Sequence, residues 1–186
     1  MPKLNKNLIG VFGGSFDPPH KGHLKISLES IKRLKLKKLY WTVTKKNPFK
    51  NKPLFSLKKR INECKKFTNK NRKIKVCYLE DKIKSRNTID IINYLIKKNK
   101  NSQFFLIIGS DNLISFCNWK KWKNIMNLCK LVVFSRKGFV KKAKKSVINR
   151  YLNKKNTIYI KDSKVDISSS KIRKSYLKKI NGNKKN

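Results

Sequence analysis

LIGVFGGSFDPPHKGH, residues 8–23, is the stretch on which the rest of the chain hangs. Leu8 to Phe12 form an apolar run of strand length, suited to burial on both faces of a sheet. Gly13 and Gly14 follow, where the lack of a Cβ lets a backbone come close to a ligand. Pro18 and Pro19 stiffen the turn. Leu24, Ile26, Leu28, Ile31 and Leu34 then recur with a mostly helical rhythm. A buried strand, a glycine turn and an amphipathic helix make the opening unit of a parallel α/β sheet.

The same alternation continues outward. LYWTV (39–43), IKVCYL (74–79), FFLIIG (104–109), LVVFS (131–135) and TIYI (157–160) read as strands. Helical patterns fall at Leu57 to Phe67 with Ser56 as cap, at Thr88 to Ile96, at Val140 to Leu152 and at Ser170 to Ile180. Residues 113–126 read as helical pieces broken around Asn118. Residues 45–56, with Pro48 and Pro53, read as a loop. Strand and helix alternate six times, which predicts a doubly wound parallel sheet with helices on both faces. The expected organisation is a single domain over 1–186, with a core at about 8–180 and a disordered tail at 181–186. Ligands belong at the carboxyl ends of the strands in such a sheet.

Composition narrows the function classes. The 186 residues carry 50 basic and 9 acidic side chains, a net charge of +41. Such a charge suits nucleic acid, but 43 of the 50 are Lys and only 7 are Arg. The basic residues are scattered, and Asn and Ile are also abundant, as drift toward A- and T-rich codons would produce. No specific nucleic-acid partner is therefore expected, although the field attracts any polyanion, ATP included. A nucleic-acid-binding protein stands as the competing class; it predicts steeply salt-dependent binding and leaves the glycine–histidine turn unexplained. No apolar run approaches the ~20 residues of a membrane span, so a soluble cytoplasmic protein with no membrane partner is expected. A homo-oligomer is left open. The four cysteines show no C-x-x-C spacing, and free, buried thiols are the expectation.

His20 and His23 are the only histidines in the chain, three residues apart at the start of a helix. Helix-end N–H groups favour a phosphate there, and two imidazoles can donate to phosphate oxygens as charge builds on them. H-x-x-H also serves zinc, but no further ligand stands at a metal-like spacing. A second motif is ISSSKIRKS, 167–175. Its serines can cap a helix and bind a phosphate, and Arg173, one turn inward, offers a planar fork for a polyphosphate.

Together the two motifs resemble the nucleotidyltransferase superfamily that carries (H/T)xGH near its N-terminus and I-S-S/T-T/S-x-I-R near its C-terminus. The middle of the chain is similar to the bacterial nicotinate-nucleotide adenylyltransferase family. RNTIDII from Arg86, IGSDNLISFCNWKKWKNI from Ile108, VFSRKG from Val133 and the loop TKKNPFK at 44–50 match its pattern, with Lys137 where the family usually has proline and Ser170 where it often has threonine. The resemblance implies a Rossmann-like fold and transfer of AMP from ATP to nicotinate mononucleotide, with release of pyrophosphate. It implies His20, His23 and Arg173 as catalytic residues. The ATP site would comprise Gly13, Gly14, Ser15, Phe16, His20, His23, Gly109, Asp111, Ile167, Ser168, Ser169 and Arg173. The acceptor site would comprise Thr88, Trp119, Lys50 and Arg136. Mg2+ would ride mainly on the ATP phosphates, since few acids, Asp17 and Asp111 among them, lie near the motifs. Related acceptors, nicotinamide mononucleotide or phosphopantetheine, stand as alternatives within the superfamily.

The residues themselves bear on the acceptor. Trp119 is large and flat and lies among Lys120, Lys121 and Lys123, a setting that suits a pyridine carboxylate. Trp119 can instead be core, and of two tryptophans three residues apart one is expected to be; with the resemblance, Trp119 is expected to stack and Trp122 to pack. Asp111, just past the strand-ending Gly109, is placed to accept from a ribose.

Overall fold

The computed structural model describes residues 6–49, 51–135, 148–152, 156–161 and 169–182. The chain runs β1 (Asn7–Gly14), α1 (Lys21–Arg33), β2 (Lys38–Val43), α2 (Leu57–Thr68), β3 (Ile74–Cys77), α3 (Glu80–Ile83), α4 (Thr88–Lys98) and β4 (Ser102–Gly109). It continues through α5 (Ser110–Ile114), a 3-10 turn at Phe116–Asn118, α6 (Trp122–Leu128), β5 (Cys129–Phe134), α7 (Ile148–Tyr151), β6 (Thr157–Ile160) and α8 (Ser169–Gly182). The six strands form one sheet in the order β3-β2-β1-β4-β5-β6, and every neighbouring pair is parallel. This is the Rossmann-like order, with the direction of winding reversed between β1 and β4.

Alternation along the strands divides the core into two layers. Ile9, Val11, Phe104, Leu106, Ile108, Leu131 and Val133 face one side, with Ile92 and Leu95 of α4 and Ile125 of α6. Phe12, Trp41, Phe105, Ile107, Val132 and Phe134 face the other, with Leu24, Ile26 and Ile31 of α1 and Leu57, Ile61 and Cys64 of α2. Near-continuous apolar strands are what burial on both faces requires. Gly10 leaves space in the second layer, where a Cβ would run into Leu39 and Leu36. Burial also silences thiols: those of Cys64, Cys77 and Cys129 are pushed up to about 12.

Several boundaries differ from the sequence reading. α8 continues to Gly182, so residues 181 and 182, expected in a frayed tail, close the last helical turn; glycine is a frequent helix stop. Ser56 caps α2 as expected, accepting from Lys59 N at 3.3 Å. The four-residue α3 went unread, since one turn is too short for a periodic signal. The 113–126 region is broken as expected, with Lys121 in the left-handed region at φ 52 ahead of α6. Of the expected helix over 140–152, only Ile148–Tyr151 and Leu152 fall within the described residues. No helix among them is long and apolar enough to cross a membrane.

Candidate active site

β1 and β4 end side by side at Gly13, Gly14 and Gly109, and a cavity of about 720 Å³ opens where the winding reverses. Sequence patches more than a hundred residues apart meet there. Gly13, Gly14, Ser15, Phe16, His20, His23, Thr88, Gly109, Asp111, Trp119, Ser169 and Arg173 all line it. Lys50, Arg136, Ile167 and Ser168 lie outside the described residues.

The two histidines build the entrance of α1. His20 is the N-cap, and its Nδ1 accepts from Gly22 N at 3.1 Å. His23, at the third helical position, accepts from His20 N through Nδ1 at 3.2 Å. This is a capping box made of two imidazoles in place of Ser and Glu. Accepting at Nδ1 needs its lone pair, which puts the ring proton on Nε2. The rings lie 3.8 Å apart, centroid to centroid. His23 sits 4.9 Å from Phe16 and 6.1 Å from Trp41. Ser27 Oγ donates to His23 O at 2.8 Å and accepts from Trp41 Nε1 at 2.7 Å, tying the first turn of α1 to β2.

Asp17 gathers the C-terminal motif. Its carboxylate accepts from Leu54 N at 2.8 Å and Phe55 N at 2.9 Å, and it is almost completely buried. Arg173 Nη1 donates to the Asp17 carbonyl at 2.7 Å and lies 3.5 Å from its carboxylate. Arg173 Nη2 donates to Ser170 Oγ at 3.1 Å. Ser169 Oγ donates to Pro18 O at 3.0 Å, so this hydroxyl staples α8 to the β1–α1 turn.

On the far side, the entry to α4 is a knot. Asp90 accepts from Ser85 Oγ at 2.6 Å and Asn87 Nδ2 at 3.1 Å. These bonds hold its carboxyl below the ordinary range and set Thr88 at the cavity edge. Trp119 packs against Phe116, centroids 5.1 Å apart, and its buried Nε1 has no hydrogen-bond partner among the described residues. Trp122 instead meets Phe116 and Tyr151 edge-on, away from the cavity lining. Lys46, Arg86, Lys120 and Arg173 supply positive charge to the described lining, against Asp111 alone. No group of three or more His, Cys, Asp or Glu side chains among the described residues is placed to hold a metal ion.

Sequence reasoning missed Arg60 and Glu80. Arg60 is buried, and its guanidinium donates to four main-chain carbonyls. Burial lowers its pKa, while Asp17 and Glu80 oppose the shift. Glu80 accepts Lys45 N at 3.2 Å on both oxygens, and burial raises its pKa. Only 7 of the 50 basic residues are Arg, so Arg60, like Arg173, stands out in a lysine-dominated chain.

The sheet has this strand order and a histidine-capped turn at its switch point, and the chain belongs to the cytidylyltransferase-like family, whose model matches residues 11–175. Within it, the chain falls among the nicotinate-nucleotide adenylyltransferases. It is 49% identical over 91% of its length to a probable nicotinate-nucleotide adenylyltransferase of Pelagibacter ubique (strain HTCC1062), covering 93% of that protein. A Bradyrhizobium sp. (strain ORS 278) protein with the same description is 40% identical over 69% of the chain and 67% of its own. Among solved structures, Plasmodium falciparum nicotinic acid mononucleotide adenylyltransferase, complexed with APC or with NaAD, superposes with TM-score 0.69 at 22% identity, over 90% of this chain and 83% of that one. That likeness shows the fold.

Proposed function

We propose that the chain transfers AMP from ATP to nicotinate mononucleotide, giving deamido-NAD and pyrophosphate. The observation that carries this reading is the convergence of both histidines, the serine–arginine motif, Thr88 and Trp119 on one cavity at the switch point, in a chain 49% identical to a probable nicotinate-nucleotide adenylyltransferase.

The acceptor's phosphate oxygen attacks the α-phosphorus of ATP in line. A new P–O bond forms, the bond to the bridging oxygen breaks, and pyrophosphate leaves. A phosphate monoester is already ionised, so neither a protein nucleophile nor a general base is required. Catalysis is positioning and charge stabilisation. His20 and His23 donate from Nε2 to the α-phosphoryl and the leaving group. Arg173 turns from the Asp17 carbonyl toward the β- and γ-phosphates. Gly13 to Phe16 and Ser169 pass backbone and hydroxyl groups along the triphosphate, Gly109 and Asp111 receive the nucleoside, and Ile167 and Ser168 are read as further ATP contacts from the motif they share with Ser169. Magnesium enters as part of the MgATP substrate.

Trp119 stacks on the pyridine, and Thr88 with the first N–H groups of α4 receives its carboxylate; Lys50 and Arg136 serve the acceptor's phosphate. The positive lining suits two polyanionic substrates. We read the whole chain as one catalytic domain acting in the cytoplasm on small molecules, with self-association open and no specific nucleic-acid partner. Pyrophosphate release with nicotinate and nicotinamide mononucleotides, measured side by side, tests the assignment. A mismatched buried amide costs roughly 1–3 kcal/mol, so the expected preference in kcat/KM is about 5- to 150-fold for the acid. Equal use of both would place the chain with dual-specificity enzymes.

A further inference from the structure

We infer that Arg60 is a positioning residue for the phosphate-binding wall: it fixes two peptide planes so that the N–H groups of Phe16 and Lys46 are presented to the anion. The inference rests on the polyphosphate reading of the cavity given above.

Arg60 does not line the cavity; it lies behind the wall, 2% exposed, on α2. Four of its bonds go to carbonyls of three segments. Nη1 donates to Ser15 O at 2.6 Å and Thr44 O at 2.7 Å, Nη2 to Lys45 O at 2.9 Å, and Nε to Phe55 O at 3.1 Å. Asp17 and Glu80 are near enough to offset its charge, but its hydrogen bonds are given to the main chain.

In a trans peptide the carbonyl of one residue and the N–H of the next point in opposite directions. The Thr44–Lys45 plane displays this directly: its carbonyl meets Arg60, and its N–H meets the Glu80 carboxylate at 3.2 Å. By the same geometry, the Ser15 carbonyl on Arg60 turns the Phe16 N–H away from it. The Lys45 carbonyl on Arg60 likewise turns away the Lys46 N–H. Phe16 and Lys46 both line the cavity. Arg60 therefore withdraws carbonyl oxygens, which would repel a phosphate, and leaves donors on the side of the ligand. Phe16 also sits at φ 45, in the left-handed region a bulky residue adopts only when held. The Arg60 bond on one side and the stack on Trp41, at 4.7 Å and 13°, on the other hold it there.

The test uses the full chain with two perturbations. Arg60→Lys keeps the charge but cannot span four carbonyls. An amide-to-ester replacement at Phe16, made by incorporating phenyllactic acid, deletes that one N–H and leaves Arg60 in place. Melting temperature, dissociation constants for inorganic tripolyphosphate and ATP, and kcat and KM are measured for each. Both variants are expected to bind tripolyphosphate and ATP on the order of tenfold more weakly, about the loss of one bond to a charged group, with lowered kcat and a smaller change in acceptor KM. A merely structural role predicts a lower melting temperature with parental anion affinity in the folded protein, and that result overturns the inference. If Arg60→Lys fails to fold, the ester variant decides alone, and parental affinity there overturns it. A parent that binds tripolyphosphate in this Arg60-dependent way but releases no pyrophosphate with nicotinate mononucleotide supports the inference and refutes the proposed function instead.

Discussion

Replacing His23 with glutamine separates the helix cap from the chemistry. His23 has two roles: Nδ1 accepts His20 N at 3.2 Å, and the ring fills the space beside Phe16, Phe12 and Trp41 at 4.9, 5.9 and 6.1 Å. Glutamine at the third helical position can keep the back-bond of a capping box and occupies much of the same volume. The expected stability loss is about 1 kcal/mol, or about 2–4 °C in Tm for a chain of this length. His23→Ala loses the back-bond, about 0.5–2 kcal/mol, and leaves a void among three rings. Its total cost is roughly 2–4 kcal/mol, a fall of about 4–16 °C. Both variants lose the imidazole donor, and removal of one transition-state donor costs about 100- to 1000-fold in turnover. Calorimetry on each variant alongside a pyrophosphate-release assay at saturating substrates reads the two effects apart. A folded His23→Gln protein turning over within about threefold of the parent would refute the assignment of His23 to the reacting phosphate.

Arg173→Lys is expected to raise the ATP KM about tenfold and lower turnover, because a point charge cannot reproduce a planar fork; steady-state constants equal to the parent's would reduce Arg173 to a staple between α8 and Asp17. Trp119→Ala should raise the acceptor's KM about tenfold or more while the ATP KM stays within about twofold, by analogy with the 1–3 kcal/mol of ring stacking; loss of ATP affinity with acceptor affinity kept would mean the ring serves the other substrate. Asp17→Ala strands the amides of Leu54 and Phe55 and removes the carboxylate 3.5 Å from Arg173, while Arg173 keeps its bond to the main-chain carbonyl of residue 17. It should cost about 3–5 kcal/mol, roughly 6–20 °C in Tm, and a melting curve unchanged by the substitution would show that the 53–55 segment is held by other contacts.

The sheet was legible in the sequence because six apolar runs of strand length alternate with helical patterns, and burial on both faces of a parallel sheet demands such runs. Gly13, Gly14 and Gly109 could be named from the chain because they close two of those runs and ligands belong at the carboxyl ends of strands in such a sheet; the reversal of winding between β1 and β4 is visible only in the folded sheet. His20, His23, Asp111 and Arg173 were legible through scarcity: two histidines, nine acids and seven arginines stand out against 43 lysines. α3 was not legible, because a single turn carries no period.

The supports of the site were beyond the sequence for a different reason. Arg60 and Ser15 are 45 residues apart, Asp17 and Arg173 are 156 apart, and Glu80 meets Lys45 across 35. Each contact joins a side chain to a main-chain group, and every residue offers the same N–H and C=O whatever its side chain. Residue identity therefore marks which side chains can donate or accept, but only the folded path of the backbone decides which carbonyl or amide arrives opposite them.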